Sequence, residues 1–361
     1  LGLSLLFLFG CQQTESPKGA DFVIFNRQKS LAFSFYGDKL KEIGEATELK
    51  DDRVPRWDYV KEADEAIYGK TTETNHPGSP LIYRYDKTKH SFKTIDDGDA
   101  YAMGFDGEFL YRTDVFTDKV VFYKHDELLK EVLKKEFSAE TALTLTNGIL
   151  PIGDKLYVLI GSVDKDSGQH ENRLWILDKN LNKLEDIAID YTDQDRGGFL
   201  RMVNVGHKLY IVESSRGLRD DGEPGPGNTI VTYDIESREL GQIKVDTPYP
   251  HDIFYDEERN LLVIYHYTLY VKDAKWTFVN LDDNSQRTIS LAEGFDQDAS
   301  FTQHNGDYYF LFKNKLVKRC LCSPGADKKV TLGKLFASIY LRRKAGGRQA
   351  GEGCLRYVRS K

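Results

Sequence analysis

The sequence predicts an all-β protein, a β-propeller of six to eight four-stranded blades, seven being the best count and the last incomplete. Two observations carry this. Aromatic and β-branched residues alternate with polar ones between turn signals spaced about 8–12 residues apart. A turn-plus-strand unit then recurs with a period of about 50 residues, two hairpins per period, which is the length of one blade.

The first unit is a tight turn followed by a strand. Its copies are Asp106-Gly107-Glu108-Phe109-Leu110-Tyr111, Gly153-Asp154-Lys155-Leu156-Tyr157-Val158 and Gly206-His207-Lys208-Leu209-Tyr210-Ile211. Two more are Glu258-Arg259-Asn260-Leu261-Leu262-Val263 and Asn305-Gly306-Asp307-Tyr308-Tyr309-Phe310. Gly-Asp and Asn-Gly pairs suit hairpin turns because the central residues need positive φ. The second unit is a strand that often ends in Asp before a polar turn: 81–86 (LIYRYD), 120–124 (VVFYK), 174–178 (LWILD), 230–234 (IVTYD) and 276–281 (WTFVNL).

These units place blades near 60–96, 100–136, 146–190, 198–243, 250–291 and 299–317, the last cut short. Residues 22–45 read as the later strands of another blade, closing the ring against C-terminal strands and so protecting the sheet edges. The propeller thus spans 22–318. One stretch, 126–137, carries a helix-like apolar pattern. The repeats resemble propellers of the irregular Kelch or YVTN-like kind, without a Trp-Asp blade signature. A pair of β-sandwiches is the competing architecture.

The N-terminal residues LGLSLLFLFGC are apolar up to Gly10-Cys11, and a polar stretch follows. The run is shorter than the roughly 20 residues a membrane span needs. Leu8-Phe9-Gly10-Cys11 resembles a lipobox. That resemblance implies a lipoprotein signal ending at Cys11, a diacylglyceryl group on that cysteine, and attachment to the extracytoplasmic face of the cell membrane. Residues 12–21 then read as a polar tether. Between Cys11 and Cys320 the chain has no cysteine, so an exported body must rely on its core.

The C-terminal segment departs from this pattern. Residues 313–361 hold fourteen Lys/Arg against Asp327 and Glu352, a balance of +12, leaving −19 on the rest of a chain that totals −7. Cys320, Cys322 and Cys354 lie here. An aberrant or disordered ending at 319–361 is the leading reading. A basic arm for an anionic partner comes second, and a Cys320/Cys322 metal site lacks the second ligand pair zinc needs.

No Gly-x-Ser-x-Gly, His-Glu-x-x-His or phosphate-binding glycine loop is present. Residues 164–171 (DKDSGQHE) resemble the start of a calcium loop, which makes Asp164, Asp166 and Glu171 the candidate ligands and calcium the one cofactor implied. The charged stretch 216–228 (RGLRDDGEPGPGN) offers Arg216, Arg219, Asp220 and Asp221 as a polar surface. Pro250-His251-Asp252 resembles the ligand-lining strand of lactonase-type and quinoprotein-type propellers. His251 and Asp252 would then face the channel as base or metal ligand, with Asn147, Phe199 and Arg201 at comparable places in the two preceding units. The expectation is a binding module for a small molecule or protein partner, anchored to the membrane by lipid. A lactonase- or hydrolase-like enzyme with a channel-mouth metal is the alternative, and nucleic acid is not an expected partner.

Overall fold

The computed structural model describes residues 22–26, 31–36, 39–44, 58–62, 65–70, 81–86, 88–89, 91–96, 101–139, 142–164, 166, 170–189, 197–218, 224–266, 274–291, 300–304, 307–312, 315–319 and 337–341. The first sheet contains β1 (Phe22–Asn26), β2 (Leu31–Tyr36) and β3 (Lys39–Gly44). Blade I contains β4 (Asp58–Glu62), β5 (Ala66–Lys70), β6 (Leu81–Asp86) and β7 (Ser91–Asp96). Blade II contains β8 (Ala102–Phe105), β9 (Leu110–Val115), β10 (Lys119–His125) and β11 (Glu131–Ser138). Blade III contains β12 (Ala142–Ile152), β13 (Lys155–Asp164), β14 (His170–Asp178) and β15 (Lys183–Ala188). Blade IV contains β16 (Gly197–Val205), β17 (Lys208–Leu218), β18 (Pro224–Asp234) and β19 (Leu240–Lys244). Blade V contains β20 (Pro250–Asp256), β21 (Leu261–His266), β22 (Ala274–Asn280) and β23 (Gln286–Leu291). A three-stranded sheet of β24 (Ser300–His304), β25 (Asp307–Phe312) and β26 (Lys315–Arg319) follows. Last comes β27 (Ala337–Leu341), which pairs with β1.

Each of blades I–V is an antiparallel meander in chain order. The first strands pack on one another in sequence, β4 on β8, β8 on β12, β12 on β16 and β16 on β20, so they form the inner wall. The fourth strands β11, β15 and β19 alternate exposed and half-buried positions, as an outer edge strand must. Five blades are therefore described in full, where the repeats lead to a count of six to eight. The difference falls at the chain ends, in the three-stranded sheet and in the sheet of β27, β1, β2 and β3, where the description is almost wholly of backbone.

The two ends of the ring differ. Strands one and two, and strands three and four, are joined by two to five residues, for example 106–109, 153–154, 179–182 and 235–239. This is the turn end. At the opposite, connection end, strands two and three are joined through 71–80, 165–169, 219–223 and 267–273, and blades through 189–196 and 245–249.

The turn residues follow local chemistry. Gly107, Gly153 and Gly206 adopt φ of 101°, 58° and 60°, as the Gly-containing pairs predict. The Asp that ends strand three caps the next turn by accepting main-chain N–H bonds. Asp178 takes them from Asn180 and Asn182, both at 2.8 Å, and Asp234 from Glu236 (3.0 Å) and Ser237 (2.9 Å). Asp86 and Asp126 repeat the arrangement.

The 126–137 segment is a turn and a strand rather than a helix. Leu129 sits at φ 63°, which ends any helical run, and β11 finds a hydrogen-bonding partner in β10. Its Leu133 and Phe137 then pack against Phe122 and Trp175 between blades II and III. A partner strand decides here between two periodicities that short apolar runs leave open.

The core lies between blades. Val120, Phe122 and Tyr111 of blade II meet Leu156, Val158, Ile160 and Trp175 of blade III. Tyr157, Leu159 and Ile176 meet Leu209, Ile211 and Tyr233 of blade IV. Tyr210, Val212 and Ile230 meet Leu262, Ile264 and Val279 of blade V. Each blade thus buries both faces, which is why its middle strands read as nearly continuous apolar runs. Close approach also constrains the interface: a Cβ on Gly104 would lie 2.7 Å from the Ile149 carbonyl oxygen of the next blade.

Candidate functional site

Three consecutive inner strands are bulged at the same height, near the connection end. In blade III Thr146 pairs with Ile160 and Gly148 with Leu159, leaving Asn147 as the extra residue. In blade IV Phe199 pairs with Glu213 and Met202 with Ile211, so Leu200 and Arg201 together oppose Val212. In blade V Pro250 pairs with His266 and Asp252 with Tyr265, leaving His251 extra. A bulge re-aims a side chain and breaks the ladder locally, and bulges concentrate beside functional sites. Asn147, Arg201 and His251 are all half-buried.

The bulges are tied together. Asn147 donates its side-chain amide to the Phe199 carbonyl (2.7 Å), and Arg201 donates to the Asn147 carbonyl (3.0 Å). In blade V the His251 ring meets Tyr265 edge to face at 6.3 Å, while Asp252 accepts the Ile253 N–H at 2.9 Å. Tyr249, two residues before His251, has φ 57°. The other non-glycine residues at positive φ among those described (Leu129, Leu181, Arg238, Asn260 and Asn284) all sit in hairpins at the turn end. A bulky residue held in that region stores strain. It is held by its N–H bond to the Gly227 carbonyl (2.8 Å).

At this height the second strands carry buried polar groups in blades II, IV and V and an isoleucine in blade III. Asp114, Ile160, Glu213 and His266 hold one register position on the second strands of blades II–V, four residues beyond Leu110, Leu156, Leu209 and Leu262. All four are buried. Asp114 accepts from Arg112 (2.6 Å), whose guanidinium lies 3.7 Å over the Tyr123 ring and donates Nε–H to His125 Nε2 (3.0 Å). Because a guanidinium only donates, His125 accepts there and is neutral. Glu213 receives Arg216 through both its oxygens (2.9 Å each). Burial pulls Arg216 below the ordinary guanidinium value. His266 donates Nδ1–H to the Pro248 carbonyl (3.0 Å), and burial pushes its imidazole down to about 4.

The other candidates fall as follows. Arg216 lies on β17, opposite Gly197, because that hairpin extends to Leu218 and resumes at Pro224. Arg219, Asp220, Asp221 and Cys11 lie outside the described residues. Asp164 ends β13, with its backbone paired to Ala142. Asp166 and Glu171 are exposed, and Glu171 lies 3.7 Å from Arg173. Among the described residues no group of three His, Cys, Asp or Glu side chains converges as a metal site would. The buried polar groups were absent from the sequence reading, although aligning the turn-plus-strand copies four residues further on brings Asp114, Glu213 and His266 into one column.

The sequence matches no protein family and no curated protein. Similarity to solved structures lies in the fold. The Neurospora crassa Pan2 WD40 domain superposes with a TM-score of 0.54 at 10% identity, over 81% of this chain and 85% of that one. A chain of a mitotic checkpoint complex gives 0.53 at 8%, over 81% and 80%. The dihydro-heme d1 dehydrogenase NirN gives 0.52 at 11%, over 89% and 74%. The chain is thus a β-propeller with four-stranded blades.

Proposed function

We propose that this chain is a cell-envelope lipoprotein whose propeller binds a small ligand or a protein segment at the connection end of its channel. The observation that supports the binding reading is the run of three bulges at one height on the inner strands, at Asn147, Arg201 and His251. Strain at Tyr249 in the same place agrees with it. The ring closes with seven sheets, the first and last completing the five blades. Attachment is through a lipidated Cys11, on the resemblance of residues 8–11 to a lipobox.

Two measurements test this. A thermal-shift survey of amino acids, sugars, nucleotides and short peptides identifies a stabilising ligand. Its effect disappears in Arg201→Ala and His251→Ala and persists in Lys155→Ala at the turn end. A ligand indifferent to both mouth substitutions removes the channel-mouth site. Labelling with an alkyne fatty acid marks the full-length chain and fails on Cys11→Ala; equal labelling of both removes the anchor.

A further inference from the structure

The turn end carries an apolar rim on consecutive blades. The most exposed large hydrophobic side chains among the described residues are Val132 (52%), Leu128 (51%) and Leu184 (51%), and all three lie there. Leu240 (39%) takes the same place on blade IV. Scattered exposed aliphatics need no explanation, but these share one edge. Two share a cause. In blade II Lys124 pairs with Leu133 and His125 with Glu131, leaving Val132 as a bulge; in blade III Ile176 pairs with Glu185 and Leu177 with Lys183, leaving Leu184 as one. The same irregularity at the start of two successive outer strands turns an aliphatic side chain outward.

Chain direction supplies the second observation. β1 is the second strand of its sheet, with β27 inside it. The second strands of blades I–V all begin at the turn end, and β1, second in its sheet and antiparallel to the inner β27, takes the same sense if that sheet repeats the blade meander. Phe22 then starts at the turn end. Ten residues, 12–21, separate it from Cys11, a reach of at most about 35 Å.

We propose that the turn-end rim of blades II, III and IV rests on the lipid bilayer, with Leu128, Val132, Leu184 and Leu240 entering its interface. Exposed Lys130, Lys134, Lys183 and Arg238 stand beside them, the last three paired with Glu136, Asp186 and Glu185, and reach headgroups by exchanging those partners and extending their stems. Exposed Glu127, Glu131, Glu236 and Glu239 also stand on this rim; blade V carries exposed Glu257, Glu258, Asp282 and Asp283 there but, among the described residues, no exposed large aliphatic, so the contact stops short of it. The consequence is orientation: the channel mouth faces away from the membrane. The orientation rests on attachment through Cys11, whereas the rim's affinity for lipid does not.

The test places tryptophan in the full-length acylated chain, as Leu128→Trp, Leu184→Trp or, at the connection end, Phe116→Trp. Each is reconstituted with phosphatidylcholine vesicles containing brominated acyl chains, and quenching is read as the change from the parent chain. The rim variants lose their added fluorescence and Phe116→Trp keeps it. Unquenched rim tryptophans in a chain that stays on the vesicles overturn the rim contact and leave the anchor standing, the result also expected if a protein covers the rim. Equal quenching at all three sites overturns the orientation. If the chain is not acylated, the anchor fails separately. The Cys11→Ala chain at high lipid concentration then tests the rim alone: rim quenching upholds the contact, and its absence overturns it. Val132→Asp with Leu184→Asp, read through Leu128→Trp, abolishes that rim signal while the exposed positions leave folding intact.

Discussion

Arg201 donates to the main-chain carbonyl of Asn147 at 3.0 Å, across the boundary between blades III and IV. Asn147 answers with its own amide, which donates to the Phe199 carbonyl at 2.7 Å. The two bulges therefore hold each other's backbone, and either side chain is also part of the other's support. Asn147→Ala leaves the bulge without its cross-blade bond and costs about 1–2 kcal/mol, read as a lower urea midpoint with unchanged slope. The double variant with Arg201→Ala loses less than the sum of the singles, because the sites are in contact. Strict additivity in the cycle is the contrary result.

At the turn end Asp106 gathers Lys179 of the next blade, the Tyr111 hydroxyl (3.0 Å) and the N–H groups of Glu108 (3.0 Å) and Phe109 (2.7 Å). Burial opposes its charge, but Lys179 and the N–H donors outweigh that and hold the carboxyl below its ordinary value. A depressed carboxylate contributes stability above its unfolded pKa and loses it as pH falls through the folded one. Asp106→Asn therefore costs stability at neutral pH, about 1–3 kcal/mol, and flattens the acid limb of the stability curve. An unchanged acid limb would count against this role.

His266 has linkage of the same sign, in a higher pH window. Burial lowers its folded pKa from the ordinary 6.5 to about 4. Between those values the unfolded chain binds the extra proton, so stability is full above 6.5 and falls as pH drops toward 4. The whole interval is worth up to about 3 kcal/mol. His266→Gln removes this slope, measured by chemical denaturation from pH 7.5 to 4. A slope equal to the parent's would show that the imidazole titrates normally.

Gly227 lets β18 approach β17 so closely that a Cβ there would strike the Glu213 carbonyl and come within 2.8 Å of the Ser215 nitrogen. Gly227→Ala forces these strands apart and costs about 1–3 kcal/mol. Because the Gly227 carbonyl also holds Tyr249, ligand binding at the mouth weakens with it. Gly153→Ala, strained by φ but with nothing within 4 Å, lowers the melting temperature without that loss.

Much of the architecture was legible in the residues because it is local. Gly153 and Gly206 mark turns through positive φ, and Asp178 and Asp234 mark strand ends because their carboxylates cap the following turn. The 126–137 segment was misread because Leu129, Leu133 and Phe137 fit a helical and a strand period equally. Part of the site was legible too: Asn147, Arg201 and His251 stand at comparable places in successive repeats. Their bulges were not, since a bulge is a relation between two strands and leaves no mark on one of them.

The sequence by itself determined the repeat, the turns and the alternating faces, because each depends on residues within one hairpin. Only the tertiary structure decided that Asp114, Glu213 and His266 share a buried register position, that the connections gather at one end, and that the Val132 and Leu184 bulges turn both outward along one rim. Those properties arise from pairing register and from packing between blades about 50 residues apart. In such packing the identity of each neighbour is set by the order of the blades.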